Sequence, residues 1–246
     1  MEIGIIGFGR FGRFASELLK QDFKVSVFDR GTITPPRGIH CLSLGEVASK
    51  PILIFCVPIS QIESTCNDVR PFLYPGQLVL DTCSVKVFPI GIMRRVLPRF
   101  VEIVGTHPLF GPDSANCGIR GLRIALCPVR CHRLEKIEAY LEKKGLHVIV
   151  TTPQKHDREM AKTQALYHFL ARGIASLKIT AGALSTPGPA KLYEDFKDVQ
   201  NDSLELFADL QIRNKHTAPM RKHLLKSLTR IDQELTSVKR KRTKQP

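Results

Sequence analysis

No apolar run in the 246 residues reaches the roughly 18 that a bilayer-crossing helix needs, so no membrane span is expected. The opening Met1-Glu2-Ile3-Gly4-Ile5-Ile6-Gly7 lacks the basic start of a secretory signal and runs directly into a structural motif. The seven cysteines are odd in number and follow no paired framework, which points to reduced thiols in a cytoplasmic protein rather than a disulfide scaffold. Cys127, Cys131 and His132 lie close together but have no second ligand pair, so no metal site is expected and the thiols read as structural. Acidic residues are scarce, 23 against 37 Lys and Arg, for a formal charge of +14. Part of the excess lies in Lys239-Arg240-Lys241-Arg242 and Lys244, read as a solvated basic tail over residues 239–246. Contact with nucleic acid is the alternative for that tail, and not the expected one. The remaining positive charge favours anionic ligands such as dinucleotides and dicarboxylates. There is no internal repeat. What the chain does have, 43% hydrophobic residues, supports a sizeable core, most naturally in two domains of unequal size.

Ile3 to Ile6 is a short apolar run suited to a buried parallel strand. It leads into Gly7-Phe8-Gly9-Arg10-Phe11-Gly12, after which residues 14–19 read as a helix. This is G-x-G-x-x-G between a strand and a helix, the arrangement that binds a dinucleotide. Gly7 permits the tight turn, Gly9 lets the backbone approach a pyrophosphate, and Gly12 lets helix and strand pack closely. The helix start then offers amide donors to the phosphates. A second strand, Lys24–Phe28, ends at Asp29, about twenty residues beyond the glycines. The Asp29 carboxylate suits the two ribose hydroxyls of NAD and repels the 2′-phosphate of NADP, whereas Arg30 beside it suits that phosphate. NAD is the favoured cofactor and NADP the alternative.

The strand–helix alternation continues. Residues 51–57 form a buried-type strand ending at Pro58, residues 59–72 a helix, and residues 77–80 a strand that closes on Asp81-Thr82-Cys83-Ser84-Val85-Lys86. Residues 100–104 and 122–126 read as strands, residues 134–144 as an amphipathic helix, and His147–Val150 as a last strand. The pattern implies an α/β fold, a Rossmann-type doubly wound and mostly parallel sheet over residues 1–152. Ligands of such sheets lie beyond the carboxyl ends of the strands. Gly7 to Gly12, Cys56-Val57-Pro58, Asp81 to Lys86 and Gly105 to Ser114 all fall at such ends. The first two groups, with Asp29 and Arg30, are therefore assigned to the cofactor.

Gly105-Thr106-His107-Pro108-Leu109-Phe110-Gly111-Pro112-Asp113-Ser114 holds two prolines and glycines that fix its path. His107 is expected just past a strand end, on a stiff loop, where an imidazole can transfer protons near neutral pH. A loop histidine that only hydrogen-bonds its neighbours is the alternative. From about Pro153 strand signals cease. Residues 155–178, 190–213 and 217–238 read as three helices with a Gly/Ser/Pro break over 181–189. So few helices cannot readily bury a core alone, so residues 153–238 are expected to pack on the first domain or on a second subunit, giving a homodimer.

These residues resemble the arogenate and prephenate dehydrogenase family of tyrosine biosynthesis, and most closely the plant-type arogenate dehydrogenases. The resemblance rests on the glycine fingerprint, Asp81-x-x-Ser84-Val85-Lys86-x-Phe88-Pro89, and Thr106-His107-Pro108-Leu109-Phe110-Gly111-Pro112. His156-Asp157-Arg158, His168 and Asn201-Asp202-Ser203-x-x-Leu206-Phe207 extend it over nearly the whole chain. It implies a Rossmann domain followed by a helical dimerisation domain. It also implies NAD(P)-dependent oxidative decarboxylation of arogenate or prephenate, with the choice between the two substrates left open. His107 would take the proton of the substrate's 4-hydroxyl, and Ser84 would orient the hydroxyl or the imidazole. A helix N-cap is the alternative for Ser84. Lys197 would meet the ring carboxylate, or be a solvated helix lysine. His168 would face the active site, or be a satisfied core histidine. Thr106 and Asp113 complete the expected substrate contacts, with Asp113 able to pair with an amine. The competing functions are another Rossmann reductase of the hydroxyacid or imine type, and a non-catalytic dinucleotide-binding protein.

Overall fold

A computed structural model describes residues 1–179 and 182–242. The chain forms two compact units, Met1–Asp157 and Arg158–Pro246, with the border five residues beyond the expected 152. Residues 243–246, the end of the expected basic tail, lie outside the described residues, as does Ala181 in the expected break.

The first unit is built on one eight-stranded sheet in the order β3-β2-β1-β4-β5-β6-β7-β8. The strands are β1 Glu2–Ile6, β2 Lys24–Phe28, β3 Ile39–Cys41, β4 Ile52–Phe55, β5 Leu78–Asp81, β6 Glu102–Pro108, β7 Arg123–Arg130 and β8 His147–Val150. All neighbours pair in parallel except β6 and β7. The short apolar runs fill the centre: Ile3, Ile5, Val25, Val27 and Ile54 form one buried cluster, and Leu78, Val104, Ile124 and Leu126 another. Parallel strands are covered on both faces, which is why these runs read as continuously apolar rather than alternating. Helices α1 Arg10–Leu19, α2 Leu44–Ala48, α3 Ile62–Val69, α4 Val87–Val96 and α5 Leu134–Lys143 connect them.

Three expectations change here. β3 and α2 have no counterpart in the sequence reading, because Ile39-His40-Cys41 is too short for a period to show. The strand expected at 100–104 runs instead over Glu102–Pro108, so His107 is inside a strand and not past its end. The cause is tertiary: β7 pairs with β6 in antiparallel register, with His107 opposite Ala125, and extends the ladder beyond the point where the β-branched run stops. Helix α4 begins at Val87 with Lys86 as its N-cap, so Ser84 is not a helix cap.

Beyond β8 the expected three helices become more, and the first of them crosses the border between the units. The segment at 155–178 breaks at Thr163 into α6 Pro153–Lys162 and α7 Gln164–Ser176. The segment at 190–213 breaks at residues 201–203 into α8 Pro187–Gln200 and α9 Leu204–Ile212, with the Ser203 hydroxyl accepting from Leu206 N as the new N-cap. Helix α10 spans Thr217–Arg242 and so takes in the first four residues of the expected tail. Ala171, Phe196 and Val199 form the small core between α7 and α8. Among the described residues no helix is long and apolar enough to cross a membrane.

Candidate active site

The glycine fingerprint forms the turn between β1 and α1. Gly7 has φ +96°, and a Cβ there would stand 2.4 Å from the Cys56 carbonyl oxygen, so only glycine fits. A Cβ on Gly12 would stand 2.1 Å from the Gly7 carbonyl oxygen, which is the close helix–strand approach expected. A Cβ on Gly9, by contrast, would meet nothing within 4 Å. The backbone there faces open space, as a cradle for a pyrophosphate must.

That space belongs to a cleft of about 340 Å³ lined by Gly7, Gly9, Asp29, Arg30, Cys56, Val57 and Pro58, among others. Seven of the residues assigned from sequence to the cofactor thus share one cavity. Burial pushes the Cys56 thiol up to about 12, so it lines the cleft as a neutral group. Phe8 instead points into the core, 4% exposed. Phe11 stacks obliquely on Phe14, ring centroids 5.9 Å apart. Asp29 Oδ2 accepts from Phe8 N at 2.7 Å and Oδ1 from Gly31 N at 2.9 Å, so this carboxylate also ties the glycine turn to the end of β2. Arg30 donates to Asp68 Oδ2 at 2.8 Å and to Ser64 Oγ at 3.2 Å. Arg10 at the start of α1 holds Asp113 through both carboxylate oxygens, at 2.7 and 2.8 Å. The fingerprint and the His107 segment are thereby joined by an ion pair that connects residues 103 positions apart.

His107 is 3% exposed. Its Nδ1 lies 2.8 Å from Nε2 of His156, at the start of α6, and His156 Nδ1 lies 2.9 Å from Asp157 Oδ1. The Asp157 carboxylate in turn accepts from Lys86 N at 2.7 Å and Val87 N at 3.0 Å, the amides that open α4. The cap that was the alternative role for Ser84 is thus supplied by an acid 70 residues away in the chain. Below His107, the fully buried Lys86 ammonium pairs with Asp81 and also donates to the Thr106 carbonyl. Thr106 donates its hydroxyl to the Asp81 carbonyl at 2.6 Å, so its side chain braces β6 against β5. Burial first, then the neighbouring His156 and the Lys86 charge, hold the His107 imidazole well below its usual range. It is neutral at physiological pH. Among the described residues its Nε2 and the half-buried Ser84 hydroxyl carry no hydrogen bond.

Sequence reading by residue type assigned no role to Lys86, Asp81, His156 or Asp157. Lys86 and Asp157 look like ordinary surface charges, and only their pairing in the fold distinguishes them. His168 and Lys197 belong to the second unit. His168 is buried on α7, lowered by that burial, with Nδ1 3.8 Å from Asp202 Oδ2, beyond hydrogen-bond range. Lys197 is exposed on α8. The seven cysteines are free, and no group of three or more metal-ligating side chains occurs among the described residues.

Comparison with known proteins places this geometry in a family. A family model for the nucleotide-binding domain of prephenate dehydrogenase matches residues 41–150, and one for its dimerization domain matches residues 152–244. Arogenate dehydrogenase 2, chloroplastic, of Arabidopsis thaliana is 27% identical over 262 residues, covering 98% of this chain and 69% of its own length. Arogenate dehydrogenase 1, chloroplastic, of the same plant is 29% identical over 250 residues, covering 94% of this chain. The chain spans only 38% of that relative's length. Among solved structures, prephenate dehydrogenase from A. aeolicus in complex with hydroxyphenyl propionate and NAD+ superimposes with a TM-score of 0.74 at 20% identity, over 99% of this chain and 97% of that one. Synechocystis arogenate dehydrogenase gives 0.66 at 21% identity, over 98% and 93%. Those structures share the fold, and the two family models, lying end to end over most of the sequence, show that this chain belongs to the prephenate dehydrogenase family.

Proposed function

We propose that the protein catalyses the NAD(P)-dependent oxidative decarboxylation of arogenate or prephenate. The observation that carries this is the buried, neutral His107 with one ring nitrogen unpartnered, in the same unit as a dinucleotide cleft, in a chain of this family. A bound nicotinamide supplies the hydride acceptor. The protein supplies the base: His107 accepts the 4-hydroxyl proton as hydride leaves C4, and the ring carboxylate departs as carbon dioxide while the ring aromatises. Lowering of the imidazole keeps it in the accepting form. Ser84, with its hydroxyl uncommitted, orients the substrate hydroxyl. Lys197 meets the ring carboxylate as a point charge and His168 contributes from α7. Thr106 and Asp113, expected from sequence to contact the substrate, are given indirect roles instead: the Thr106 hydroxyl is spent on the Asp81 carbonyl and braces the strand, and Asp113, held by Arg10, fixes the far end of the His107 segment.

NAD is the preferred cofactor in this proposal. Asp29 lines the cleft, and Arg30, the guanidinium lining it that suits a 2′-phosphate, is paired with Asp68 at 2.8 Å. The helical unit mediates a homodimer, supported by Leu228, Ile231, Leu235 and Val238, which recur every three or four residues on α10 and are all exposed. Free thiols throughout support a reducing compartment such as the cytoplasm.

The deciding experiment is a matrix of arogenate and prephenate against NAD and NADP, following nicotinamide absorbance together with carbon dioxide release. One productive pair with both signals is expected. Nicotinamide reduction without carbon dioxide, or no turnover in any of the four combinations, would overturn the proposal.

A further inference from the structure

The base proposed for the reaction has two ring nitrogens, and the hydrogen-bond chain behind it determines which one is available. Main-chain amides only donate. Asp157 accepts two of them, from Lys86 and Val87, at the positive end of the ten-residue helix α4. Both features favour the ionised carboxylate, whose oxygens only accept. His156 Nδ1, 2.9 Å from Asp157 Oδ1, must therefore carry the proton of that contact. A neutral imidazole with Nδ1–H has a bare Nε2, an acceptor. With His156 neutral, the group facing that acceptor at 2.8 Å, His107 Nδ1, is the donor. His107 Nε2 is left with its lone pair exposed for use, and it is the nitrogen without a partner among the described residues.

We infer that His156 and Asp157 are positioning residues that fix His107 as the Nδ1–H tautomer and so make Nε2 the proton acceptor. Their role in turnover rests on the reaction proposed above; the tautomer itself does not. The arrangement resembles in logic any acid–imidazole pair that sets a base, with one added link: a second imidazole passes the carboxylate's preference on. It also couples the base to the Ser84 segment, since the acid that orients His156 is the acid that caps α4. The titratable and charged groups facing His107 are His156 from α6, Lys86 at the head of α4, and Asp81 from β5, which neutralises Lys86. None of them offers His107 Nδ1 an alternative acceptor, which is why the preference is one-sided.

The test is long-range ¹H–¹⁵N correlation on the full chain labelled with ¹⁵N-histidine, without substrate, near neutral pH. His107 assigned by loss of its signals in His107→Asn should show a protonated Nδ1 and a bare Nε2. His156→Gln, whose amide oxygen can still accept from Nδ1–H, should keep that form. His156→Leu and Asp157→Asn should convert His107 to a mixture or to Nε2–H. In turnover, His156→Leu should lower kcat on the order of 10²-fold with KM little changed, the lower end of what a positioned base contributes, and His156→Gln should recover most of it. Wild-type protein showing Nε2–H on His107 overturns the inference without any variant having to fold. Unchanged Nδ1–H in a folded His156→Leu overturns it as well. The expected tautomer together with no turnover on either substrate would sustain this inference while removing the proposed reaction.

Discussion

The Lys86 ammonium is buried between the Asp81 carboxylate and the main-chain carbonyl of Thr106, with neither charged side chain exposed to solvent. It locks the end of β5 to the residue beside His107. Removing one partner of a buried pair leaves an uncompensated charge, typically at a cost of about 3–5 kcal/mol. Lys86→Met is therefore expected to lower the denaturation midpoint substantially, read by urea unfolding, whereas replacing Lys86 and Asp81 together by apolar residues should recover much of the loss. A single variant as stable as the wild type would show that the pair is dispensable.

His107→Asn removes the base but keeps a side chain of similar polarity in β6. The expected fall in kcat is roughly 10²–10⁴-fold, with NAD affinity by fluorescence titration nearly unchanged. Retention of most of kcat would leave His107 as scaffolding only.

The pH dependence follows from the sign of the imidazole shift. Burial holds neutral His107 below its ordinary range, so the accepting form persists below about pH 6.5, and the acid limb of kcat/KM belongs at lower pH than for a free imidazole. Stability moves the same way. Below about pH 6.5 the unfolded chain gains protons on residues 107 and 168 that the folded chain refuses, so the contribution is full above that pH and is lost as pH falls towards the folded values. Thermal melts from pH 8 to 5 should show the decline, and a shallower one in His168→Leu.

Asp29→Ser should move preference from NAD towards NADP. Because Asp29 also receives Phe8 N and Gly31 N, the change should cost about 1–3 kcal/mol, more than a purely ligand-facing acid would. Wild-type protein that reduces NADP alone would reverse the assignment.

Lys197→Ala is expected chiefly to raise KM, since a ground-state carboxylate contact is lost and no proton carrier is touched. Removing residues 239–246 should leave a dimer by light scattering and near-normal activity. A monomer after that truncation would give the basic end a part in assembly.

The sequence alone carried the cofactor half of the site far. G-x-G-x-x-G, the following strand and Asp29 are local in the chain, and each glycine's task is a backbone property that residue type declares: Gly7 sits at positive φ and Gly12 against the Gly7 carbonyl. The parallel core strands were legible for the same reason, as apolar runs of strand length. The proton-transfer half was legible only as a histidine worth noting. That His107 lies within a strand depends on β7 arriving in antiparallel register, and no feature of residues 105–108 specifies a partner drawn from residues 124–127. The two helix breaks differ in kind: nothing local marks the one at Thr163, whereas the one at residues 201–203 carried a signal in Asn201-Asp202-Ser203, with Ser203 as an N-cap, that the apolar pattern on either side outweighed. Most of all, Lys86 and Asp157 are charges that composition would place in water. Burial of each is tolerated because the fold brings its compensation, Asp81 for Lys86 and two helix-opening amides for Asp157, and such pairing exists only once the chain has closed on itself.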